Sequence, residues 1–208
     1  MTASEADDSP AISRATMAAH LARFCRVEAS RPDLKAAAVA VCVLADDNGD
    51  SLLITRRAAG LRAHAGQWAL PGGRREPGET AEAGALRELG EETSLDLGPG
   101  AVLGVLDDYV TRSGYVMTPV VVWGGTGATL SAAAAEVARI VRIPLAHLDV
   151  PPRLLRIPES DAPVIQLPLL GRHLHAPAAA IVYQFCQVAL HDNAVRVAHY
   201  EQPVFAWK

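Results

Sequence analysis

Residues 73–95 constrain the fold most, because they join a glycine-rich loop to a segment with strong helical propensity. The sequence there is GRREPGETAEAGALRELGEETSL, with turn residues at Pro77 and Gly78. Residues 80–92 are mostly helix formers and include no proline. The stretch therefore predicts a loop followed by a helix.

Three carboxylates share one side of this helix. At about 100° per residue, Glu88, Glu91 and Glu92 fall within an arc of roughly 100°, while Leu89 and Thr93 fall on the opposite side. Glutamates so close together repel one another unless a positive charge lies between them. Because a hard divalent cation with oxygen ligands supplies such a charge, the spacing predicts a metal site.

An ordinary acidic helix surface would explain the same charges. In that interpretation the glutamates face solvent, and Arg87 pairs with Glu91 four residues later. Charge clusters on helices usually have this simpler explanation. The choice between the two depends on the residues that surround the carboxylates.

The order of residues along the whole stretch favours the metal site. It resembles the signature of the Nudix hydrolases, in which a loop Gly and Glu precede Arg-Glu-aliphatic-x-Glu-Glu-x-Gly-aliphatic at fixed spacing. The matching positions are Gly73, Glu79, Arg87, Glu88, Leu89, Glu91, Glu92 and Leu95. Ser94 replaces a glycine that eases a left-handed turn after the helix, so we expect local strain or a different turn there.

The resemblance implies an α/β fold, the Nudix α/β/α sandwich with a mixed β-sheet. It also implies an enzyme that hydrolyses a nucleoside diphosphate linked to another group, with Mg²⁺ or Mn²⁺ as the cofactor. The metal ligands that the resemblance implies are Glu88, Glu91, Glu92 and the carbonyl of Gly73. Arg87 would orient a glutamate by ion pairing, and Glu79 would brace the loop or coordinate through water.

Glu136 lies in the region where many Nudix enzymes place a further carboxylate that faces the metals. The resemblance makes Glu136 a base or a ligand, whereas a glutamate without such a role would simply be exposed to solvent. Asp107 and Asp108 are weaker candidates for the same role.

Residues 53–73 carry a second resemblance, to the coenzyme A (CoA) diphosphatases of the Nudix family. The matching positions are Leu53, Thr55, Arg57, Ala58, Arg62, Gly66, Pro71, Gly72 and Gly73. It implies that Arg57, Arg62 and His64 hold a CoA-like ligand, whose phosphates suit guanidinium groups. The substrate would be CoA or an acyl-CoA, cut to 3′,5′-ADP and a 4′-phosphopantetheine. Alternatively, these residues only flank a surface turn.

Other functions stay open at this point. Within the enzyme class, the rival substrates are ADP-ribose, a dinucleotide and an oxidised nucleotide. In another class, a Nudix module senses a ligand without catalysis, but such a module can lose the metal carboxylates that this chain keeps. At the start of the last helix, where CoA diphosphatases tend to carry Trp-Gly-x-Thr-Ala, residues 175–179 read His-Ala-Pro-Ala-Ala.

Composition limits the partners and the location. The 208 residues have a formal net charge of −4 and are 50% hydrophobic, which fits one folded domain at 12–208 behind a flexible tail at 1–11. We expect a small nucleotide as the partner, with no nucleic acid and no membrane, and a homodimer stays open. Cys25, Cys42 and Cys186 lack a CxxC spacing, which predicts buried free thiols in a cytoplasmic protein.

The remaining pattern predicts the order of the elements. Helices are expected at 12–28 and from Pro177, and strands at 36–44, 51–55, 102–110, 116–123, 140–145 and within 194–207. A turn is expected at 46–50 and a short helix or turn at 132–138. The prolines between residues 144 and 177 predict loops and short strands, and Pro119 predicts an edge strand or a bulge.

Overall fold

The computed structural model describes residues 12–45, 49–61, 64–169 and 171–207. The helices in these ranges are α1 (Arg14–Arg23), α2 (Ala81–Thr93) and α3 (Ala178–Phe185), which a π-helical turn at Cys186–Leu190 continues. No helix in the described part of the chain is both long and apolar enough to cross a bilayer. The predicted tail at 1–11, most of the turn at 46–50 and Arg62 lie outside the described residues, and the single-domain boundaries stay a prediction.

The strands form two separate sheets. They are β1 (Lys35–Ala45), β2 (Ser51–Arg57), β3 (Trp68–Ala69), β4 (Gly72–Arg74), β5 (Val102–Val105), β6 (Tyr109–Val110), β7 (Tyr115–Thr126), β8 (Val137–Pro144), β9 (Arg153–Ile157), β10 (Ser160–Leu167) and β11 (Leu174–His175). Single 3₁₀ turns lie at Pro99–Ala101, Leu145–His147 and Val204–Ala206. The predicted strands at 36–44, 51–55, 116–123 and 140–145 are confirmed within a few residues.

β1 is the centre of the larger sheet, which is mixed. Its main path is β3-β2-β1-β7-β5, while β4 pairs with β1, β6 with β7 and β8 with β2. β1 runs parallel to β7 from Lys35 opposite Tyr115 to Val43 opposite Trp123, and the other pairs are antiparallel. This arrangement confirms the mixed sheet predicted for the fold.

The two faces of β1 serve two different hydrophobic cores. Val39, Val41 and Val43 belong to the core that includes residues of α1 and α3, whereas Ala40 and Cys42 belong to the core that includes α2. This alternation follows from the two-residue period of a strand. Since helices cover both faces of the sheet, the protein is an α/β/α sandwich, as predicted.

β9, β10 and β11 form a second, antiparallel sheet in the order β11-β10-β9. This agrees with the loops and short strands predicted from the prolines. Pro163 lies inside β10, where the register against β9 shifts between Ser160 and Val164. The irregular register accommodates a residue that has no N–H to donate to the ladder.

The strand expected within 194–207 does not form among the described residues, so that prediction is wrong. Glu201 makes only an isolated bridge to Val164 of β10, and a 3₁₀ turn follows. Side chains hold this segment instead of a ladder. Arg112 Nε donates to Glu201 Oε2 at 3.0 Å, and Arg112 N donates to Gln202 Oε1 at 2.7 Å.

Two adjacent aspartates explain two other departures from the predicted boundaries. α1 ends at Arg23 rather than at residue 28, because Asp107 Oδ1 accepts from Val27 N at 2.7 Å and Asp108 Oδ2 accepts from Ala29 N at 2.9 Å. These contacts hold residues 27–29 in an irregular conformation. The same aspartates interrupt the strand expected at 102–110, which therefore forms as β5 and β6.

β7 lies inside the sheet although it contains Pro119. The Pro119 carbonyl accepts from Leu106 N at 3.0 Å, in the gap between β5 and β6. The ring nitrogen of Pro119 faces the same side of the strand, where no ladder partner is needed. The gap between β5 and β6 thus accommodates Pro119, in place of the edge strand or bulge that was predicted.

The cysteines differ in exposure. Cys42 and Cys186 are buried free thiols, as predicted, and burial raises the pKa of each to about 12. Cys25 is exposed, so the expectation of a buried thiol is wrong there. The reason is its position in the irregular segment that follows α1.

Candidate active site

The loop and helix predicted from residues 73–95 form as one unit. Thr80 caps α2, since its side-chain oxygen accepts from Ala83 N at 3.1 Å. Before the cap, Glu79 Oε2 accepts from Glu76 N at 2.9 Å, and Arg75 Nε donates to the Glu79 carbonyl at 3.0 Å. These contacts fix the loop against the first turn of the helix.

Arg87 connects the carboxylate of the loop to those of the helix. Nε and Nη2 donate to the two oxygens of Glu79 at 2.9 and 3.1 Å, and this pairing holds the pKa of Glu79 below its usual value. Nη1 donates to Glu88 Oε1 at 2.9 Å and to Glu91 Oε2 at 3.1 Å. Because two bonds to Glu79 fix the guanidinium plane, Arg87 can orient both helix glutamates.

Gly73 brings the main chain directly against Glu88. A Cβ at residue 73 would collide with the Glu88 carboxylate, so a larger residue there would displace that side chain. The position is fixed by the sheet, where Gly73 of β4 pairs with Ala38 of β1. The glycine of the loop and the glutamate of the helix therefore meet, as the resemblance implies.

Glu92 is an acidic group inside the protein, with 4% of its surface exposed. Its carboxylate accepts two long hydrogen bonds of 3.4 Å, from Gly72 N and from Thr55 Oγ1. Burial raises the pKa of Glu92 to about 7, and repulsion from Glu88 and Glu136 acts in the same direction. Burial also raises the pKa of Glu88. The site thus concentrates negative charge that a cation would stabilise.

The pairing of β2 with β8 brings Glu136 to this cluster. Ala58 N, just after β2, donates to the Glu136 carbonyl at 2.8 Å, just before β8. Burial raises the pKa of Glu88 and of Glu92, and the negative charge of Glu136 raises both further. The three carboxylates therefore repel one another. Glu136 is exposed, but it is exposed to the cleft that these groups share.

Three of the carboxylates, those of Glu88, Glu91 and Glu136, line a cleft of about 1040 Å³. Six predicted site residues line it: Arg57, His64, Gly73, Glu88, Glu91 and Glu136. Of the others, Glu92 is buried beside the lining residue Gly72, and Arg87 contacts two of the lining glutamates. Arg62 lies outside the described residues. The structure therefore gathers the described members of the predicted site in one place.

Arg57 and His64 both line the cleft, Arg57 at the end of β2 and His64 at the start of a turn. Arg57 Nε is buried and has no hydrogen-bond partner in the described part of the chain. Burial lowers the pKa of His64, and the charge of Arg57 lowers it further, which favours a neutral imidazole. The two residues therefore flank a turn, as one interpretation expected, and that turn belongs to the cleft wall.

Asp107 and Asp108 do not belong to this site. Neither residue is part of the cleft lining. Asp108 Oδ1 accepts from Arg26 Nη2 at 2.9 Å and from Thr118 Oγ1 at 2.7 Å, while Asp107 Oδ1 accepts from Arg196 Nη1 at 2.7 Å. Their contacts are structural, so the weaker alternative to Glu136 has no geometric support.

The cleft is also lined by residues that the sequence analysis did not select. They are Trp68, Met117, His175, Ile181, Gln202 and Phe205. They come from β3, β7, β11, α3 and the C-terminal segment, so no regular spacing relates them. The one signal noted in the sequence was the unusual reading of residues 175–179, which includes His175 just before α3.

Ser94 shows how the chain accommodates the missing signature glycine. It adopts the left-handed conformation, with φ 58° and ψ 24°, and its N–H donates to the Gly90 carbonyl at 2.8 Å. The usual helix-ending turn therefore forms with a residue that has a Cβ. Of the two expectations, local strain is correct, because a Cβ is unfavourable in this conformation.

Replacing Ser94 with Gly is expected to stabilise the protein by about 1 kcal/mol, since glycine adopts the left-handed conformation without the Cβ contact. The free energy of unfolding in urea measures the change. Ser94→Ala keeps the Cβ and is the matched control, for which no gain is expected. An equal gain from both variants would show that the backbone conformation is not its source.

Comparison with known proteins places this geometry in a family. A family model of the NUDIX domain matches residues 34–166, which is well over half of the chain. Nudix hydrolase NudL of Photorhabdus laumondii is 43% identical over 98 residues, covering 47% of this chain and 52% of NudL. Nudix hydrolase 3 of Caenorhabditis elegans is 37% identical over 87 residues, covering 41% of this chain and 36% of that protein. The chain thus spans about half or less of these curated relatives.

A solved structure shares the fold. The MutT protein from Methanosarcina mazei Go1 aligns with a TM-score of 0.50 and 20% sequence identity, over 78% of this chain and 95% of that chain. At this identity the likeness concerns the fold alone. The match of the family model includes β1, the glycine-rich loop, α2 and Glu136. The chain therefore belongs to the Nudix family.

Proposed function

We propose that this protein hydrolyses the diphosphate linkage of a nucleoside diphosphate derivative in a reaction that requires a divalent metal. The main support is the cluster of glutamates: Glu88, Glu91 and Glu136 line a cleft of about 1040 Å³, Glu88 lies against Gly73, and buried Glu92 accepts from Gly72 N. Membership of the Nudix family supports the same function, as do relatives named Nudix hydrolases. A sensing module without catalysis would not need this complete set of carboxylates.

The donor chemistry fits Mg²⁺ or Mn²⁺. Glu88, Glu91, Glu92 and the Gly73 carbonyl provide only oxygen donors, which hard cations prefer. In the described part of the chain no group of three Asp, Glu, His or Cys side chains is arranged to hold a metal ion, and Arg87 holds one oxygen each of Glu88 and Glu91. Glu88 Oε2 and Glu91 Oε1 are left for the metal. A cation would also relieve the burial and repulsion that disfavour charged Glu88 and Glu92.

The metal and three side chains would have separate roles in this reaction. A metal bound there would neutralise the diphosphate and acidify a water molecule. Arg57 provides a positive charge in the cleft wall for a phosphate oxygen. Arg87 keeps Glu88 and Glu91 oriented through its bonds to Glu79. Glu136, an exposed carboxylate in the cleft lining, would accept the proton of the attacking water.

We further propose CoA or an acyl-CoA as the preferred substrate, with 3′,5′-ADP and a 4′-phosphopantetheine as products. The match of residues 53–73 to the CoA diphosphatases supports this choice, as do the positions of Arg57 and His64 in the cleft wall. The role of Arg62, the homodimer and the cytoplasmic location stay predictions.

A product assay tests the proposed function. Purified protein with Mg²⁺ or Mn²⁺ is given CoA, acyl-CoA, ADP-ribose, NADH, diadenosine polyphosphates and oxidised dGTP in parallel. Release of 3′,5′-ADP from CoA above all other turnover is the expected result. Preference for another compound would reject the CoA assignment and keep the diphosphate chemistry. No turnover of any compound, with metal still bound, would favour the sensing module.

Replacing Glu136 with Gln is expected to lower kcat by about 10²- to 10⁴-fold and to leave the Mn²⁺ dissociation constant unchanged, since a base acts on the water rather than on the metal. Steady-state rates and Mn²⁺ titration by electron paramagnetic resonance measure the two quantities. Glu159→Gln, at an exposed glutamate between β9 and β10, is the matched control. A parallel loss of metal affinity would make Glu136 a ligand instead.

A further inference from the structure

One group of residues in the cleft lining is aromatic or aliphatic, and we call the space beside it the aromatic compartment. It is lined by Trp68, Met117, His175, Ile181 and Phe205. Two of these side chains are aliphatic and three are aromatic rings. Arg56, whose guanidinium lies over the Trp68 ring, also lines the cleft. The compartment therefore offers rings for a flat part of a ligand next to a positive charge.

β10 positions two of the aromatic rings. His175 of β11 pairs with Gln166 of β10 in the small sheet. On the same edge of β10, opposite β9, Glu201 forms main-chain hydrogen bonds to β10 with both its N–H and its carbonyl. Phe205 lies four residues after Glu201, in the 3₁₀ turn Val204–Ala206. Since both rings are tied to one strand, their relative position is fixed before a ligand enters.

The hydrogen bond to Gln166 sets the tautomer of His175. Gln166 Nε2 lies 3.0 Å from His175 Nδ1, and because an amide N–H only donates, Nδ1 accepts. Burial, together with the neighbouring His173, lowers the pKa of His175 and favours the neutral ring. The proton then lies on Nε2. His175 thus brings one oriented N–H donor to the cleft lining.

Phe205 meets this imidazole at a right angle. The ring centroids are 5.1 Å apart and the planes cross at 87°. Phe205 is nevertheless 52% exposed, which is unusual for a large aromatic ring that lines a cleft. Its open surface can stack against a planar group, while His175 donates to an acceptor nitrogen or oxygen at the edge of that group.

We propose that the aromatic compartment binds the nucleobase of the substrate, with Phe205 as the stacking ring and His175 as a hydrogen-bond donor. The proposal rests on the proposed function for the nature of the ligand. A purine is planar and carries ring nitrogens that accept hydrogen bonds, so it matches both groups. The diphosphate attached to it would extend along the cleft to Arg57 and the carboxylates. Phe205 lies outside residues 34–166, so base recognition depends on a segment beyond the matched Nudix domain.

Binding of AMP and of ribose 5-phosphate tests the proposal, because the two compounds differ only in the base. Isothermal titration with Mg²⁺ is carried out on the wild-type protein and on Phe205→Ala. Loss of a base-stacking ring should weaken the binding of AMP about tenfold and leave the affinity for ribose 5-phosphate unchanged. Phe205→Trp keeps a stacking ring and should restore AMP binding. Val204→Ala changes the adjacent exposed residue, which does not line the cleft, and should change neither ligand.

The outcomes separate this proposal from the proposed function. Equal weakening of both ligands by Phe205→Ala, or unchanged AMP affinity, would overturn the base assignment even if the protein hydrolyses diphosphates. Selective loss of AMP with rescue by Phe205→Trp would support it, even if the wild-type protein turns over none of the tested diphosphates. In that second case the proposed function would fail while the base site stands.

Discussion

Replacing Glu92 with Gln is expected to lower kcat/KM for the diphosphate substrate by at least about 10³-fold while leaving the fold intact, because it removes one charge of the proposed metal site. Glu92 differs from Glu88 and Glu91 in being buried, with 4% of its surface exposed, and it accepts from Gly72 N and Thr55 Oγ1. Gln has nearly the same shape and keeps one acceptor oxygen. Initial rates at saturating Mg²⁺ measure the loss, and a fully active variant would reject the metal site.

The same substitution is expected to stabilise the metal-free protein. Burial raises the pKa of Glu92 from 4.5 to about 7, so the folded state binds this proton more tightly than the unfolded chain. The favourable contribution of protonated Glu92 is complete below the unfolded pKa and is lost as the pH rises through 7. Gln cannot ionise. Unfolding in urea with EDTA should therefore show a gain of about 1–3 kcal/mol at pH 8 and little change at pH 4.5.

Glu91→Gln is the matched control for the stability effect alone, since Glu91 is also a proposed metal ligand. Its carboxylate lies one residue earlier on α2, and 60% of its side chain is exposed. We expect its free energy of unfolding to change by less than about 0.5 kcal/mol at either pH. Should Glu92→Gln destabilise the metal-free protein at pH 8, the hydrogen bonds to charged Glu92 would outweigh the cost of burying it.

The catalytic end of the site could be predicted because its determinants are local in sequence. The helical period places Glu88, Glu91 and Glu92 on one arc, and the loop spacing places Gly73 against Glu88. Arg87 needs only neighbouring partners to orient them. A resemblance over residues 53–95 was therefore sufficient to select these groups and the sandwich that carries them.

The aromatic compartment could not be predicted in the same way. Trp68, His175 and Phe205 come together only when β11 and the C-terminal segment dock on β10. The sequence gives no period that relates them. The segment that carries Phe205 was expected as a strand, but Glu201 and Gln202 hold it through Arg112 instead. Contacts between side chains that lie about 90 residues apart in the sequence leave no local pattern in it.

The predicted end of the first helix was wrong for the same reason. The helical period extends to residue 28, yet α1 ends at Arg23. Asp107, some 80 residues away, accepts from the backbone of Val27 and so competes with the last helical turn. Tertiary contacts of this kind override a propensity worth only tenths of a kcal/mol per residue.

Replacing Asp107 with Ala is expected to cost about 3–5 kcal/mol of unfolding free energy, the largest stability effect that we predict. Its carboxylate is nearly fully buried and accepts from Val27 N at 2.7 Å, Arg196 Nη1 at 2.7 Å and Gln184 Nε2 at 2.8 Å. Alanine would leave these buried or part-buried donors without this acceptor, and each unsatisfied group carries a desolvation penalty. The midpoint of urea unfolding, with its slope, measures the loss.

Asp33→Ala tests whether burial or ion pairing causes the stability loss expected for Asp107→Ala. Asp33 pairs with Arg31 at 2.7 Å, the same distance as Asp107 to Arg196, but both side chains are about half exposed. No measurable shift of the unfolding midpoint is expected there, because solvent screens the pair. Asp107→Ala should also keep kcat/KM within about threefold at a temperature where it is folded, since Asp107 lies outside the cleft lining. A catalytic defect in a stable Asp107→Ala protein would instead make this carboxylate part of the chemistry, against the position that the fold gives it.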